Sequence, residues 1–388
     1  MMKSINEVDV KGKKVLLRVD INSDVIDGKV LLTERIKQSA GTIDFLKKKG
    51  AKVIVIAHQG RPGEKDFTNL KQHADLLNQF TKIKFVPDVI GAKAELHIKL
   101  LRSGNAILLD NIRGLKDEFD TSENNAFVKK LSSWCNIYVN DAFSVSHRAQ
   151  ASVVGFPKHM PSYSGPLLDK EVNALKKVNL QEALYILAGS KPAEDIKLIN
   201  RKNKVLACGL FGQMCLVASG KDLGAQNKFL QTNITDYDKN LQALQEVLKK
   251  NKKMVMMPVD FGVKDETGKR KDIPLKKFPV NYEIFDIGPE TQKKYVEEIS
   301  KANSVYMKGP AGFYTDDQFF TGTMAILDAV SKSKGFSLLG GGQLSNAIAK
   351  SKITDDKFGY ISLSGGALLD YIAGAKLPGL DALGFYTQ

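Results

Sequence analysis

Four times within the first 150 residues an apolar run ends in a short polar corner that carries histidine or arginine. The runs are VLLRVDIN (15–22), VIVIAHQGRP (53–62), AILLDNIRG (106–114) and IYVNDAFSVSHR (137–148). Each reads as a β-strand, a corner and the start of a helix-like stretch, the repeating unit of an open α/β sheet. Such sheets bind ligands beyond the carboxyl ends of their strands. The corners therefore bring Asp20, Asn22, His58, Arg61, Arg113, His147 and Arg148 toward one crevice, whose positive charge suits a small, highly anionic ligand.

The alternation resumes further on. Apolar runs at 184–188, 204–207, 253–257, 303–307, 336–339 and 359–363 predict strands, while 235–250 and 290–302 have helical spacing. About five strands before residue 150 and about six after residue 180 are too many for one compact sheet. The predicted fold class is α/β, with two doubly wound, Rossmann-like parallel-sheet domains joined by a helical hinge. The expected boundaries are 1–165 for the first domain, 166–180 for the connecting helix and 181–365 for the second domain. The segment 366–388 is too short to be a domain and has to dock elsewhere. Glycine clusters follow the later strands: AGSK (188–191), ACGLFG (207–212), KGPAG (308–312), LGGGQLSNAI (339–348) and SGGALLD (364–370). One such cluster needs no function beyond a tight turn. Five along one sheet edge point to phosphate, with GGGQ leading into a helix N-terminus.

Composition narrows the setting. Of 388 residues, 43% are hydrophobic and 26% charged, as in ordinary globular proteins. No run of 18 apolar residues occurs, and the opening MMKSINEVDVKGKK lacks the apolar core of a secretory signal, so a cytoplasmic protein with no membrane partner is expected. Cys135, Cys208 and Cys215 form no CxxC pair and no cluster with histidine, and no protein-built metal site is expected. The net charge of +14 resides largely in lysine-rich stretches at 45–50, 247–253 and 268–277, read as solvated, helix-like faces. With no RNP, zinc-finger or GXXG module present, nucleic acid is not expected as the main ligand.

Several chemistries drop out. The chain has no GxxxxGK[ST] loop and no GxSxG elbow. Asp260-Phe261-Gly262 matches a protein-kinase tripeptide but has neither an HRD loop nor a β3 lysine before it, so the match is fortuitous. A pocket rich in arginine and histidine without an evident base suits a nucleophile already ionised at neutral pH, such as a carboxylate. Phosphoryl transfer between two anions then requires neutralised charge and in-line positioning. A cationic domain joined to a glycine-rich, phosphate-friendly one predicts two anionic ligands meeting across a cleft.

At this point the chain resembles the phosphoglycerate kinase family over nearly its whole length, most closely the archaeal branch. RVDIN, ERIK (34–37), AHQGRP, DNIRG and NDAFSVSHRAQAS resemble the successive signatures of that family's N-terminal domain. LAGSK, PVDFGV (258–263), DIGPET (286–291), KGPAGFY (308–314) and LGGGQ resemble those of its C-terminal domain, in the same order. The resemblance implies reversible transfer between 1,3-bisphosphoglycerate with ADP and 3-phosphoglycerate with ATP. Mg²⁺ would be carried on the nucleotide, the two domains would close by hinge bending, and the tail would return to the first domain. It implies that Asp20, Asn22, Arg35, His58, Gln59, Gly60, Arg61, Arg113 and Arg148 hold the phosphoglycerate, with Arg35 nearest the transferring group. Lys191 would touch the transferring phosphoryl oxygens as a second catalytic residue; Gly312, Thr315, Gly341, Gly342 and Gln343 would complete the nucleotide site.

The second half departs from the family pattern. The family's second lysine after GGAK aligns with Asp195, a turn glycine with Cys208 (placed to crowd an adenine), and the asparagine before GP with Lys308. Thr315 stands for a ribose-binding glutamate and Gln343 for the aspartate that commonly follows GGG. A neutral Gln343 is a weaker partner for Mg²⁺ than a carboxylate. These changes leave an alternative: a phosphoglycerate-binding protein that uses another phosphoryl donor or none. Monomer and homodimer both remain open.

Overall fold

The computed structural model describes residues 2–189, 191–200 and 202–387. Ser190 of the AGSK cluster therefore lies outside the described residues. The chain divides into two compact units, one of residues 1–173 with 374–388 and the other of residues 174–373.

The first unit is built on a six-stranded sheet. Its strands Lys84–Val86, Ala106–Leu109, Lys52–Ile56, Lys14–Arg18, Ile137–Asn140 and Ser162–Ser164 lie side by side in that order, all parallel. Successive residues point to opposite faces. Accordingly Leu17, Val53 and Val55 join one apolar cluster with Ile36, Ile43 and Leu46 of helix Glu34–Lys48. Leu16, Ile54 and Ile56 join the other, with Phe127, Tyr138 and Phe156. Burial on both faces explains why these strands read as unbroken apolar runs. The four strands with basic corners are consecutive neighbours, so parallel pairing puts all four corners on one edge.

The second unit repeats the design. Strands Val255–Met256, Val205–Ala207, Leu184–Leu187, Ser304–Lys308, Phe336–Gly340 and Tyr360–Ser362 form its parallel sheet, each within or beside a predicted run. Helices Tyr237–Asn251 and Pro289–Ser300 occupy the stretches of helical spacing. A separate antiparallel sheet of Arg270–Pro274, Asp260–Lys264 and Ile284–Ile287 was not expected. It corrects the reading of 268–277 as helix-like: only Ile273 of strand Arg270–Pro274 is buried, a lysine-rich edge without apolar alternation. Asp260 of the kinase-like tripeptide accepts hydrogen bonds from the Glu290 and Thr291 N–H groups at 2.9 and 2.8 Å. It caps helix Pro289–Ser300 from outside, which gives that carboxylate a structural task.

Helix Pro166–Lys177 runs across the division between the units. Its first turn is capped by Asp141, which accepts from Leu167 N at 2.7 Å and from Thr42 Oγ1 at 2.6 Å. Burial pushes the Asp141 carboxyl up to about 7 despite these donors. A folded value above the ordinary 3.8 means the carboxylate is disfavoured in the fold. Its contribution to stability therefore falls as pH rises through about 4 to 7, then levels off. Asp141→Asn is expected to lack this decline. Thermal unfolding of both proteins across that window checks it, and equal slopes would refute it.

Candidate active site

Each corner of the first unit is fixed to the next by hydrogen bonds. After strand Lys14–Arg18, Asp20 Oδ1 accepts from Asn22 N at 3.1 Å, closing a turn. Asn22 Oδ1 then accepts from Gly60 N at 2.8 Å, leaving its Nδ2 to donate. Gly60 has φ +62°, and a Cβ there would sit 2.5 Å from Asp66 backbone atoms, so only glycine fits. Its carbonyl accepts from Arg113 Nη1 at 2.5 Å. Asn111, which caps the turn carrying Arg113, also donates Nδ2 to Gln59 O at 2.8 Å.

Arginine dominates the charge. Arg35 Nη1 lies 3.1 Å from Asp20 Oδ2, which also accepts from Ser144 Oγ. Burial opposes ionisation of Asp20, yet Arg35, with Ser144 and Arg18, outweighs it and holds the carboxyl below its usual value. Arg18 is wholly buried; its Nη2 meets His58 Nδ1 at 3.0 Å and its Nε donates to Ser152 Oγ at 3.2 Å. Because a guanidinium only donates, His58 Nδ1 accepts, and the ring proton sits on Nε2. Burial, with Arg18 beside it, pushes His58 well below its usual value, so the ring is neutral. Ser152 in turn donates Oγ to Glu118 Oε1 at 2.7 Å. Burial lowers Arg113 to about 10, helped by Arg148 and Arg18; burial and then Arg61 lower Arg148. Four guanidinium groups, of Arg18, Arg35, Arg113 and Arg148, thus act on the carboxylates of Asp20 and Glu118, with Arg61 beside Arg148. Such a surplus of positive charge on one sheet edge suits a polyanion.

In the second unit all five glycine clusters follow carboxyl ends of strands in one parallel sheet. From Leu184–Leu187 the chain steps outward through Val205–Ala207 to Val255–Met256; from Ser304–Lys308 it steps the opposite way. The order reverses between those two central strands, the place where open sheets take their ligands. Helix Gly342–Ser351 starts from Gly341 at φ +109° with no side-chain cap. A Cβ at Gly341 or Gly342 would meet nothing within 4 Å, and Gln343 is exposed, so the start of the helix borders open space. Lys191, three-quarters exposed, lies 3.7 Å from Glu194. Lys308 Nζ lies 2.7 Å from Asp195 Oδ1 and 2.9 Å from Glu194 Oε2.

The sequence-predicted residues divide accordingly. Asp20, Asn22, Arg35, His58, Gly60, Arg113 and Arg148 are brought together, with exposed Arg61 close enough to Arg148 to perturb it. Gln59 faces inward: its amide bonds Ser23, Asp66 and His73, so it braces two corners. His147 Nε2 accepts from Arg148 Nε at 3.2 Å. Gly312 packs tightly, a Cβ there falling 2.3 Å from Asp286 Oδ1, whereas Thr315 is exposed on a loop held by Lys350 through Tyr314 O at 2.8 Å. Cys208 is fully buried in the apolar cluster of Ile186, Leu206 and Tyr295, and its thiol is core packing. Arg18, Glu118, Ser144 and Ser152 were not expected in the site. The signal available for Arg18 was a charge closing a strand buried on both faces.

Comparison with known proteins agrees with this fold. The phosphoglycerate kinase family profile matches residues 5–375. A phosphoglycerate kinase of Methanopyrus kandleri is 36% identical over 98% of this chain and 97% of its own length. One of Sulfurisphaera tokodaii is 37% identical over 98% and 95%. The crystal structure of phosphoglycerate kinase from Pyrococcus horikoshii superposes with a TM-score of 0.89 at 34% identity, covering 99% of this chain and 98% of that one. These likenesses span both units and both crests, and the chain belongs to the phosphoglycerate kinase family.

Proposed function

We propose that this chain catalyses reversible phosphoryl transfer between ATP and the carboxylate of 3-phosphoglycerate, giving ADP and 1,3-bisphosphoglycerate, as in glycolysis and gluconeogenesis. When ATP is used, a carboxylate oxygen bonds to the γ-phosphorus. The bond from that phosphorus to its bridging oxygen breaks, and the electron pair stays on ADP. No proton has to move, because the nucleophile is ionised at neutral pH. The protein's task is to hold two polyanions in line and counter the charge of the transferring group.

The surplus of guanidinium at the first unit's crest carries this reading. Arg61, Arg113, Arg148, the His58 Nε2–H and Asn22 Nδ2 hold the phosphoglycerate, while Gly60 and Gln59 keep the corners in register. Arg35, tethered to Asp20 but 30% exposed, meets the transferring phosphoryl group. The helix start at Gly341, Gly342 and Gln343 cradles nucleotide phosphates, Lys191 reaches the same region, and Thr315 borders it. Mg²⁺ enters with the nucleotide as part of the substrate. Among the described residues no helix is long and apolar enough to cross a membrane, and we place the enzyme in the cytoplasm.

A coupled assay with ATP, Mg²⁺ and 3-phosphoglycerate is expected to show turnover. Its absence from folded protein with any nucleoside triphosphate would overturn the reading. Better use of GTP or polyphosphate than of ATP would favour an altered donor.

A further inference from the structure

We propose that Lys308 is a catalytic residue of the second unit: its ammonium meets the nucleotide's terminal phosphate oxygens, with Asp195 as the residue that positions it. This rests on the reading of the second crest as the nucleotide site.

Three observations carry it. Lys308 closes strand Ser304–Lys308, one of the two central strands between which the sheet order reverses, so its side chain starts where an open sheet takes its ligand. The ammonium is held at that crest by the Asp195 carboxylate at 2.7 Å, and Asp195 is itself completely buried. Gly189, in the turn after the neighbouring strand, passes so close that a Cβ there would lie 3.1 Å from Lys308 Nζ and 2.6 Å from Asp195 Oδ2. Only glycine lets the backbone of that turn pass this close to the ion pair, so Lys308 and Asp195 are packed against the strand-end turn itself.

The second carboxylate on the ammonium is of another kind. Glu194 is 33% exposed and also reaches toward Lys191, at 3.7 Å. It is the partner that an incoming phosphate displaces, while Asp195 stays. Relative to the family pattern, a lysine has left the helical position now occupied by Asp195 and a lysine stands on the adjacent strand at 308. The two departures face each other across 113 residues of sequence. Together they keep one ammonium at this crest and reverse which element supplies it. During transfer that ammonium counters charge on the phosphoryl oxygens as the bond to the bridging oxygen breaks.

The test is steady-state kinetics of the full chain with ATP, Mg²⁺ and 3-phosphoglycerate, with ADP affinity by calorimetry. Lys308→Met is expected to lower kcat by about 100-fold or more, the size of losing one transition-state donor, with the KM for 3-phosphoglycerate within about twofold. That change leaves Asp195 unpaired and endangers folding, so Asp195→Asn/Lys308→Met is made alongside it. If Lys308 merely neutralises Asp195, the double variant regains turnover, which overturns the proposal. If Lys308 meets phosphate, the double variant folds and stays slow. Asp195→Lys/Lys308→Asn, which returns the charge to the helix, is expected to recover at least about tenfold of the lost rate. Native turnover with unaffected Lys308→Met overturns the role of Lys308 alone, whereas no native turnover overturns the nucleotide reading beneath it.

Discussion

Replacing Arg35 with alanine is expected to lower kcat by about 10³-fold while the protein unfolds at nearly the same temperature. The size follows from what the side chain does. Arg35 is anchored at one Nη by Asp20, 3.1 Å away, and is 30% exposed. A tethered but accessible guanidinium is organised before the reaction begins and loses little on meeting charge that develops in the transition state. Arginines in that role in other phosphoryl-transfer enzymes are worth about 10³- to 10⁵-fold. The fold tolerates the loss because Asp20 keeps the Ser144 hydroxyl, the Asn22 N–H and the nearby Arg18 charge. A rise in KM for 3-phosphoglycerate with unchanged kcat would assign Arg35 to ground-state binding instead.

Arg18→Met is expected to act in the opposite way, on stability first. Arg18 is wholly buried and links His58, Ser152 and, by charge, Glu118. Glu118 is already pushed up by burial and is restrained by Arg18. Removing the guanidinium leaves a buried carboxyl with only the weaker Arg113 charge to counter it, at a cost of about 3 kcal/mol. Chemical denaturation would measure the loss, which should be larger at pH 8 than at pH 5, because protonation relieves Glu118. Glu118→Gln in the same chain should recover part of it. If denaturation midpoints were unchanged in Arg18→Met, the buried network would be incidental.

The strands were legible because a parallel strand buried on both faces has no alternative but an apolar run, as Lys52–Ile56 and Ser304–Lys308 show. The basic corners were legible because polar residues at the ends of such runs share one edge. What failed was local and polar. Ser162–Ser164 and Arg270–Pro274 are short or edge strands whose residues mostly meet solvent or partial burial, so periodicity carried no signal. HQGRP looked uniformly like ligand contacts, yet the Gln59 side chain turns inward to Ser23, Asp66 and His73 of helix Lys71–Leu77. The pairing of Lys308 with Asp195 was invisible for a different reason: nothing in spacing predicts a contact created by the neighbouring of two strands.

Gly60 has a bearing on how the first crest can change. Its N–H is tied to Asn22 and its carbonyl to Arg113, and its own geometry admits no side chain. Asn22 and Arg113 therefore share a single peptide as their common support. Energies of alteration at the two positions will not add, since whichever changes first loosens the peptide on which the other depends. Tinkering with acceptor specificity one residue at a time thus meets epistasis at its first step. Adaptation of this crest is channelled toward Arg61, which is exposed and follows that peptide without supporting either side chain.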